Sequence, residues 1–134
     1  MSPTPSFSSV FTPAGVFFFA AAFVLGPIDL VQAQVQQKVI STNADGAISV
    51  YAADLDGDDD PDVLSASFAG DQVSWYENLN SGSFSAQKTI TTSTDGAQSV
   101  YAADLDGDDD LDVLSASQID DKIAWYRNLD SGGF

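Results

Sequence analysis

Tyr51-Ala-Ala-Asp-Leu-Asp-Gly-Asp-Asp-Asp60 is a stretch that the sequence contains twice, because residues 101–110 repeat it without a change. The similarity extends to both sides: residues 41–84 and 91–134 align without a gap and are identical at 30 of 44 positions. A repeat of this length is one supersecondary unit, and it buries its apolar face only by packing against a neighbouring copy. The sequence therefore predicts a tandem array of one unit rather than a domain with a unique core.

Four short strands are predicted in each repeat. In the first copy they are residues 47–53, 63–67, 72–79 and 84–90. These segments are rich in β-branched and aromatic residues, and clusters of Gly, Asp, Asn or Ser separate them. Because no helical periodicity occurs between them, the predicted fold class is all-β, and four strands per repeat are typical of a β-propeller blade. Trp75 and Trp125 are expected to fill the space between adjacent blades; a stacking platform for a sugar ring is the alternative.

The repeated stretch places aspartates on alternate residues of a tight loop. Counted from Asp54, they occupy positions 1, 3, 5, 7 and 9, and Gly57 is at position 4. The ten candidate metal ligands are Asp54, Asp56, Asp58, Asp60, Asp62, Asp104, Asp106, Asp108, Asp110 and Asp112. Oxygen ligands with this spacing converge on one point, and Ca²⁺ takes six to eight oxygens at about 2.3–2.6 Å. The sequence therefore predicts one calcium loop in each copy.

Two other interpretations of this loop compete with a calcium loop of this kind. It is not an EF-hand, because position 6 is Asp59 rather than Gly and position 12 is Ser65 rather than Glu. A merely solvated acidic turn that blunts a sheet edge is the remaining alternative. Against that alternative, six carboxylates within nine residues would repel one another strongly unless a cation lay between them.

Composition excludes several classes of function. The chain has 4 basic and 20 acidic side chains and a net charge of −16, which argues against a nucleic-acid partner and for a cation. It has no Cys and no His, so disulfides, thiol nucleophiles and imidazole bases are excluded. Few carboxylates outside the loops are available for a glycosidase-type pair, and Glu77 is replaced by Arg127 in the second copy. We therefore predict that the chain is not an enzyme.

Residues 1–33 differ in kind from the rest and are predicted to be a signal-peptide-like leader. An apolar run extends from Ala14 to Gly26, and no side chain before Asp29 is charged. The run is long enough for the hydrophobic part of a signal peptide and too short for a spanning helix, which needs about 20 residues. Val31-Gln-Ala33 offers a cleavage site before Gln34. The predicted location is secreted or cell-surface; an uncleaved anchor or a mis-assigned start is the alternative.

The motifs of both copies resemble a known family. Asp-Leu-Asp-Gly-Asp-x-Asp-x-Asp, followed by Val-Leu-Ser-Ala-Ser and Trp-Tyr-x-Asn-Leu-x-Ser-Gly-x-Phe, resembles the FG-GAP/VCBS-type repeat and is similar to the calcium-binding blades of integrin alpha-subunit propellers. The resemblance implies a β-propeller with a Ca²⁺ loop between the first two strands of each blade. It also implies that Asp60 and Asp110 bind through backbone carbonyls and the other eight aspartates through side chains. The family usually has Gly at position 6, where this chain has Asp59 and Asp109; a positive φ there would carry a cost that affects calcium affinity.

The predicted organisation is the leader followed by a repeat region over residues 34–134, with repeats at about 38–87 and 88–134, the second truncated. Propellers close with four to eight blades, so two blades indicate a fragment of a longer array, or a chain of which several copies assemble one ring. Open blade faces favour self-association. The predicted function is a calcium-binding β-propeller module that binds extracellular protein or glycan, as in adhesion. The alternative is the non-catalytic propeller part of an extracellular polysaccharide-degrading or other hydrolytic enzyme.

Overall fold

The computed structural model describes residues 35–134, and these residues form seven β-strands and no helix. The strands are β1 (Ala47–Ala53), β2 (Asp62–Ser67), β3 (Gln72–Tyr76), β4 (Lys88–Thr91), β5 (Ala97–Ala103), β6 (Asp112–Ser117) and β7 (Lys122–Tyr126). The all-β fold class is thereby confirmed, whereas the predicted leader lies outside the described residues. A search of the described part of the chain finds no helix long and apolar enough to cross a membrane.

Two antiparallel sheets are built from these strands, one for each copy of the repeat. The first sheet has the order β1-β2-β3-β4 and the second has the order β5-β6-β7. Leu64 on β2 lies opposite Tyr51 on β1 and Trp75 on β3, and the second sheet repeats this pairing with the equivalent residues. The identical register follows from the identical alternation of side chains, since a slip of one residue would turn every side chain to the other face.

The predicted strands agree with the observed ones except near the end of the first sheet. β1 has the predicted bounds, β2 begins one residue earlier, and β3 ends at Tyr76. The fourth strand, predicted over residues 84–90, is observed at Lys88–Thr91. Residues 80–82 all have positive φ, and the chain after this turn makes only an isolated bridge before β4 begins. The turn therefore delays strand pairing by four residues relative to the prediction.

The hydrophobic core lies between the two sheets. Leu64, Val73 and Trp75 of the first sheet share one buried cluster with Val100 of β5. The ring of Trp75 meets Phe134 edge-on, with 6.4 Å between the ring centroids. Trp75 thus fills the space between the sheets, as the sequence predicts. Full burial of an aliphatic or aromatic side chain of this size contributes about 1.5–3 kcal/mol, so this interface holds the two copies together.

The two sheets pack front to back, so equivalent residues of the two copies have opposite environments. Val100 is 6% exposed, whereas its equivalent Val50 is 69% exposed. Val73 is fully buried, whereas its equivalent Ile123 is 82% exposed. Within residues 35–134 the outer face of the second sheet is open and carries Ile123 and Trp125. On the outer face of the first sheet Val50 is exposed, whereas Ser74 and Tyr76 are buried. Trp125 is half exposed on the second sheet. Contrary to the prediction, it does not fill a space between two sheets within residues 35–134.

Candidate metal centre

The acidic stretches form two equivalent loops that join the first two strands of each sheet. The first loop, residues 54–62, connects β1 to β2, and the second loop, residues 104–112, connects β5 to β6. Two positive-φ residues bend each loop: Gly57 and Asp59 have φ values of 80° and 69°, and the second loop repeats these angles within a few degrees. The position where the family usually has Gly therefore does adopt the left-handed conformation. Asp tolerates this conformation better than most residues, although at a cost.

The first aspartate of each loop holds the loop backbone in place. The carboxylate of Asp54 accepts hydrogen bonds from the backbone N–H groups of Gly57 at 2.7 Å, Asp58 at 3.2 Å and Asp59 at 2.9 Å. In the second loop the carboxylate of Asp104 accepts from the equivalents of Gly57 and Asp59 at 2.7 and 3.2 Å. This arrangement tightens the turn around one carboxylate, and it explains why a short polar side chain stands at position 1.

The last aspartate of the first loop is fixed at the base of the site. Asp62 is fully buried and accepts two backbone hydrogen bonds, from Leu55 at 2.9 Å and from Asn78 at 2.8 Å. Burial raises the pKa of Asp62 above its ordinary value, and the charges of Asp58 and Asp54 raise it further, whereas the two hydrogen bonds act in the opposite direction. Each carboxylate oxygen takes one N–H and retains a free lone pair, which is the acceptor capacity that a cation would use.

Three carboxylates converge in the first loop. Asp54, Asp56 and Asp62 each offer one oxygen atom, and these atoms lie within 4.8 Å of one another. Oδ1 of Asp56 is buried and has no hydrogen-bond partner. Burial raises the pKa of Asp56, and the charge of Asp62 raises it further. A buried carboxylate oxygen without a donor is costly unless a positive charge meets it, so the residues present fit a metal ion.

The second loop brings together a different set of its aspartates. Asp104, Asp106 and Asp108 each offer one oxygen within 4.8 Å of the others, and all three are exposed. Asp112 is buried at the base, where it accepts the backbone N–H groups of Leu105 at 3.1 Å and Asn128 at 2.8 Å. Both loops thus contain an acidic cluster that could hold a metal ion, but the two clusters differ in membership and in burial.

Three further predicted ligands, Asp58, Asp60 and Asp110, are outside the two converging sets. Asp58 in the first loop is outside the converging set, and its Oδ1 accepts the backbone N–H of Asp60 at 2.9 Å. The same contact in the second loop, from Asp110 to Asp108, is 3.2 Å long. The backbone-carbonyl role that the family resemblance implies for Asp60 and Asp110 stays a prediction.

A guanidinium group lies against the second loop. Nε of Arg127 is 2.6 Å from Asp106 Oδ2, and its Nη2 is 3.1 Å from Asp108 Oδ2. The hydrogen bond from the backbone of Asp110 and then the contact with Arg127 lower the pKa of Asp108. At the equivalent place beside the first loop, the carboxylate of Glu77 pairs with Lys88 at 2.5 Å. The sequence alignment of the two copies marks this substitution, although it does not indicate that residue 127 reaches the loop.

Asn128 is a buried residue to which the sequence assigned no role. Its Nδ2 donates to the backbone carbonyl of Leu55 in the first loop at 2.8 Å and to that of Leu111 in the second loop at 3.2 Å. The backbone N–H of Asn128 donates to Asp112, so this one residue connects the two loops and the two copies. The recurrence of Asn-Leu at 78 and 128 was the signal available in the sequence.

Fold and site together define an all-β repeat protein in which each repeat presents an acidic loop between its first two strands. Residues 58–115, which extend from the first loop through β6 as far as Ser115, match the family described as the FG-GAP-like repeat. These residues thus match the FG-GAP-like repeat, and the resemblance identified from the motifs is confirmed. No curated protein and no solved structure matches the chain significantly.

Proposed function

We propose that this chain is a calcium-binding repeat module of a secreted or cell-surface protein, and that its repeats belong to a β-propeller. The observation that carries the proposal is the first loop, where three carboxylate oxygens lie within 4.8 Å of one another and the buried Oδ1 of Asp56 lacks a partner. A divalent cation at this point would satisfy that oxygen and remove the repulsion among the carboxylates.

The chemistry of the donor set favours Ca²⁺ over other metals. All converging atoms are carboxylate oxygens, and the chain has no His or Cys to offer nitrogen or sulfur. Hard oxygen ligands suit Ca²⁺ and Mg²⁺, but Mg²⁺ demands near-ideal octahedral geometry and gives up its waters reluctantly. A turn of alternating aspartates suits the larger ion, which accepts six to eight ligands with less regular geometry.

The bound ion would act as a structural element. It would lie between β1 and β2 and fix the loop whose backbone carbonyl at Leu55 accepts from Asn128. Ordering this loop would therefore also support the contact between the two copies. Rigid loops at one end of stacked sheets are a common basis for recognition by repeat proteins, so we propose an extracellular protein or a glycan as the partner.

A binding role is favoured over a catalytic one. A pocket of about 300 Å³ lies between residues 39–43 and 85–87 and is lined also by Tyr76; none of its lining residues is acidic or basic. A glycosidase-type pair would need two carboxylates in one cleft. The second candidate, the non-catalytic propeller part of a hydrolytic enzyme, uses the same calcium loops and differs only in what accompanies them.

The outer faces suggest a second copy of this chain as a further partner. Inside the chain, the face that carries Val73 and Trp75 packs against the face that carries Val100. The outer face of the second sheet carries the equivalents Ile123 and Trp125, and the outer face of the first sheet carries Val50. The exposed residues Val50, Ile123 and Trp125 are equivalent to residues that meet at the interface inside the chain, so we propose head-to-tail self-association through them.

Thermal melting of the full chain with calcium and with a chelator tests the calcium site. Binding to the folded state stabilises it by RT ln(1 + [L]/Kd), about 2.7 kcal/mol at a hundredfold excess over Kd. We expect calcium to raise the melting temperature, and Asp56→Asn, which keeps the shape of the side chain, to remove the part of the shift due to the first loop. Asp45→Asn makes the same charge change outside the loops and should keep the whole shift. A melting temperature that is independent of calcium would contradict the proposal.

A further inference from the structure

The two loops have the same sequence at their tips but are flanked by opposite charges. Residues 54–60 and 104–110 are identical, whereas Glu77 in the first copy corresponds to Arg127 in the second. Six aspartates and Glu77 make seven negative charges around the first loop, and Lys88, which pairs with Glu77, leaves a net of six; six aspartates and Arg127 leave a net of five around the second. The two sites therefore differ in the charge that a divalent cation would meet.

Glu77 and Arg127 also differ in what they contact. Arg127 binds the second loop directly, through Asp106 at 2.6 Å and Asp108 at 3.1 Å, and both belong to the converging set of that loop. Glu77 forms an ion pair with Lys88 at 2.5 Å, so the positive charge of Lys88 is paired with Glu77 and not with an aspartate of the first loop. At the position equivalent to Asp106, Oδ1 of Asp56 is buried and has no partner.

We propose that Arg127 makes the two loops unequal: the first loop takes a divalent cation, and the second is held by the Arg127 guanidinium as an internal counter-ion. This inference rests on the proposed calcium site. Arg127 is permanently charged, and its planar group binds two carboxylates at once. A cation enters the second loop only by displacing these contacts, so its affinity there is lower. The two loops, identical in sequence at their tips, would then be stabilised differently: the first by a bound metal ion and the second by Arg127.

Calorimetric titration of the chelator-stripped full chain with CaCl2 tests the inference. The wild type should show one tight site, and Arg127→Glu, which installs the residue of the first copy, should show two. Arg127→Gln, which removes the charge without adding repulsion, should raise the affinity of the second site on the order of tenfold. The reciprocal variant Glu77→Arg should weaken the first site by a similar factor. Lys122→Glu is the matched control, because it makes the same charge change on β7 beside Asp120, outside both loops.

A second readout does not need calcium. In chelator, Arg127→Gln should lower the melting temperature, because the carboxylates of Asp106 and Asp108 lose their counter-ion, whereas Glu77→Gln should leave it unchanged or raise it. Two equal sites in the wild type that Arg127→Gln does not alter would overturn this inference and leave the calcium proposal intact. Absence of binding in every variant would overturn both.

Discussion

Truncation of Trp75 tests the proposed position of the core. Trp75 is 2% exposed, it packs edge-on against Phe134, and the Nζ of Lys88 lies 4.3 Å from its ring centroid. Removing a buried aromatic side chain costs about 3–5 kcal/mol, which includes the cavity that the neighbouring sheet cannot fill. Small domains are stable by only about 5–15 kcal/mol, so Trp75→Ala should lose from about a fifth to all of the free energy of unfolding.

The second copy supplies the matched control. Trp125 occupies the same register position opposite Leu114 but is 49% exposed on the outer face of the second sheet. Trp125→Ala should cost about 1–2 kcal/mol, since roughly half of the area is already in water. Urea unfolding followed by far-UV circular dichroism measures both variants without relying on tryptophan fluorescence. Front-to-back packing predicts that Trp75→Ala loses more unfolding free energy than Trp125→Ala. Equal losses at low protein concentration would refute it, because the two tryptophans would then have equal environments.

Three further predictions concern the loops and the open faces. In calcium, Asp59→Gly should be at least as stable as the wild type and Asp59→Ala less stable by about 1 kcal/mol, because φ is 69° there; urea unfolding measures the order. In chelator, the raised pKa of Asp56 makes stability depend on pH. Between the ordinary value of 3.8 and the raised pKa, the folded state binds more protons than the unfolded chain, so the free energy of unfolding falls as pH rises. Asp56→Asn lacks this loss and should overtake the wild type as the pH rises above 3.8, and calcium should reverse the order in melting curves. Light scattering should show concentration-dependent oligomers that Trp125→Asp disperses; a monomer at every concentration would contradict self-association.

The repeated strands and the loop positions could be predicted from the sequence because they depend on local alternation and local turn chemistry. β1 was predicted with its observed bounds, and the aspartates at positions 1, 3 and 9 of the first loop converge in the structure. The environments of Trp75 and Trp125 could not be separated, since the two residues have nearly identical neighbours in the chain. Their burial is decided by whether another sheet covers them.

The contact of Arg127 with the second loop was beyond the reach of the sequence for a related reason. It joins residues 19 positions apart, and only the pairing of β6 with β7 brings them together. The substitution of Glu77 by Arg127 was visible, but its meaning depended on distance in space. The turn at residues 80–82 was predicted, but the late start of β4 was missed because residues 83–87 form only an isolated bridge, which no local pattern marks.

Front-to-back packing gives the interface a direction, and this has a consequence for how such a protein changes in length. Each added repeat covers one face and presents a new copy of the same face, as Val100 covers the first sheet while Ile123 is left open on the second. Duplication of the coding unit therefore extends the molecule without requiring any new complementary surface. Growth of this kind ends only when the two outer faces meet each other or when a substitution makes one of them polar. The copies differ at 14 of 44 aligned positions, and the exchange of Val73 for Ile shows that a face position can change while staying apolar.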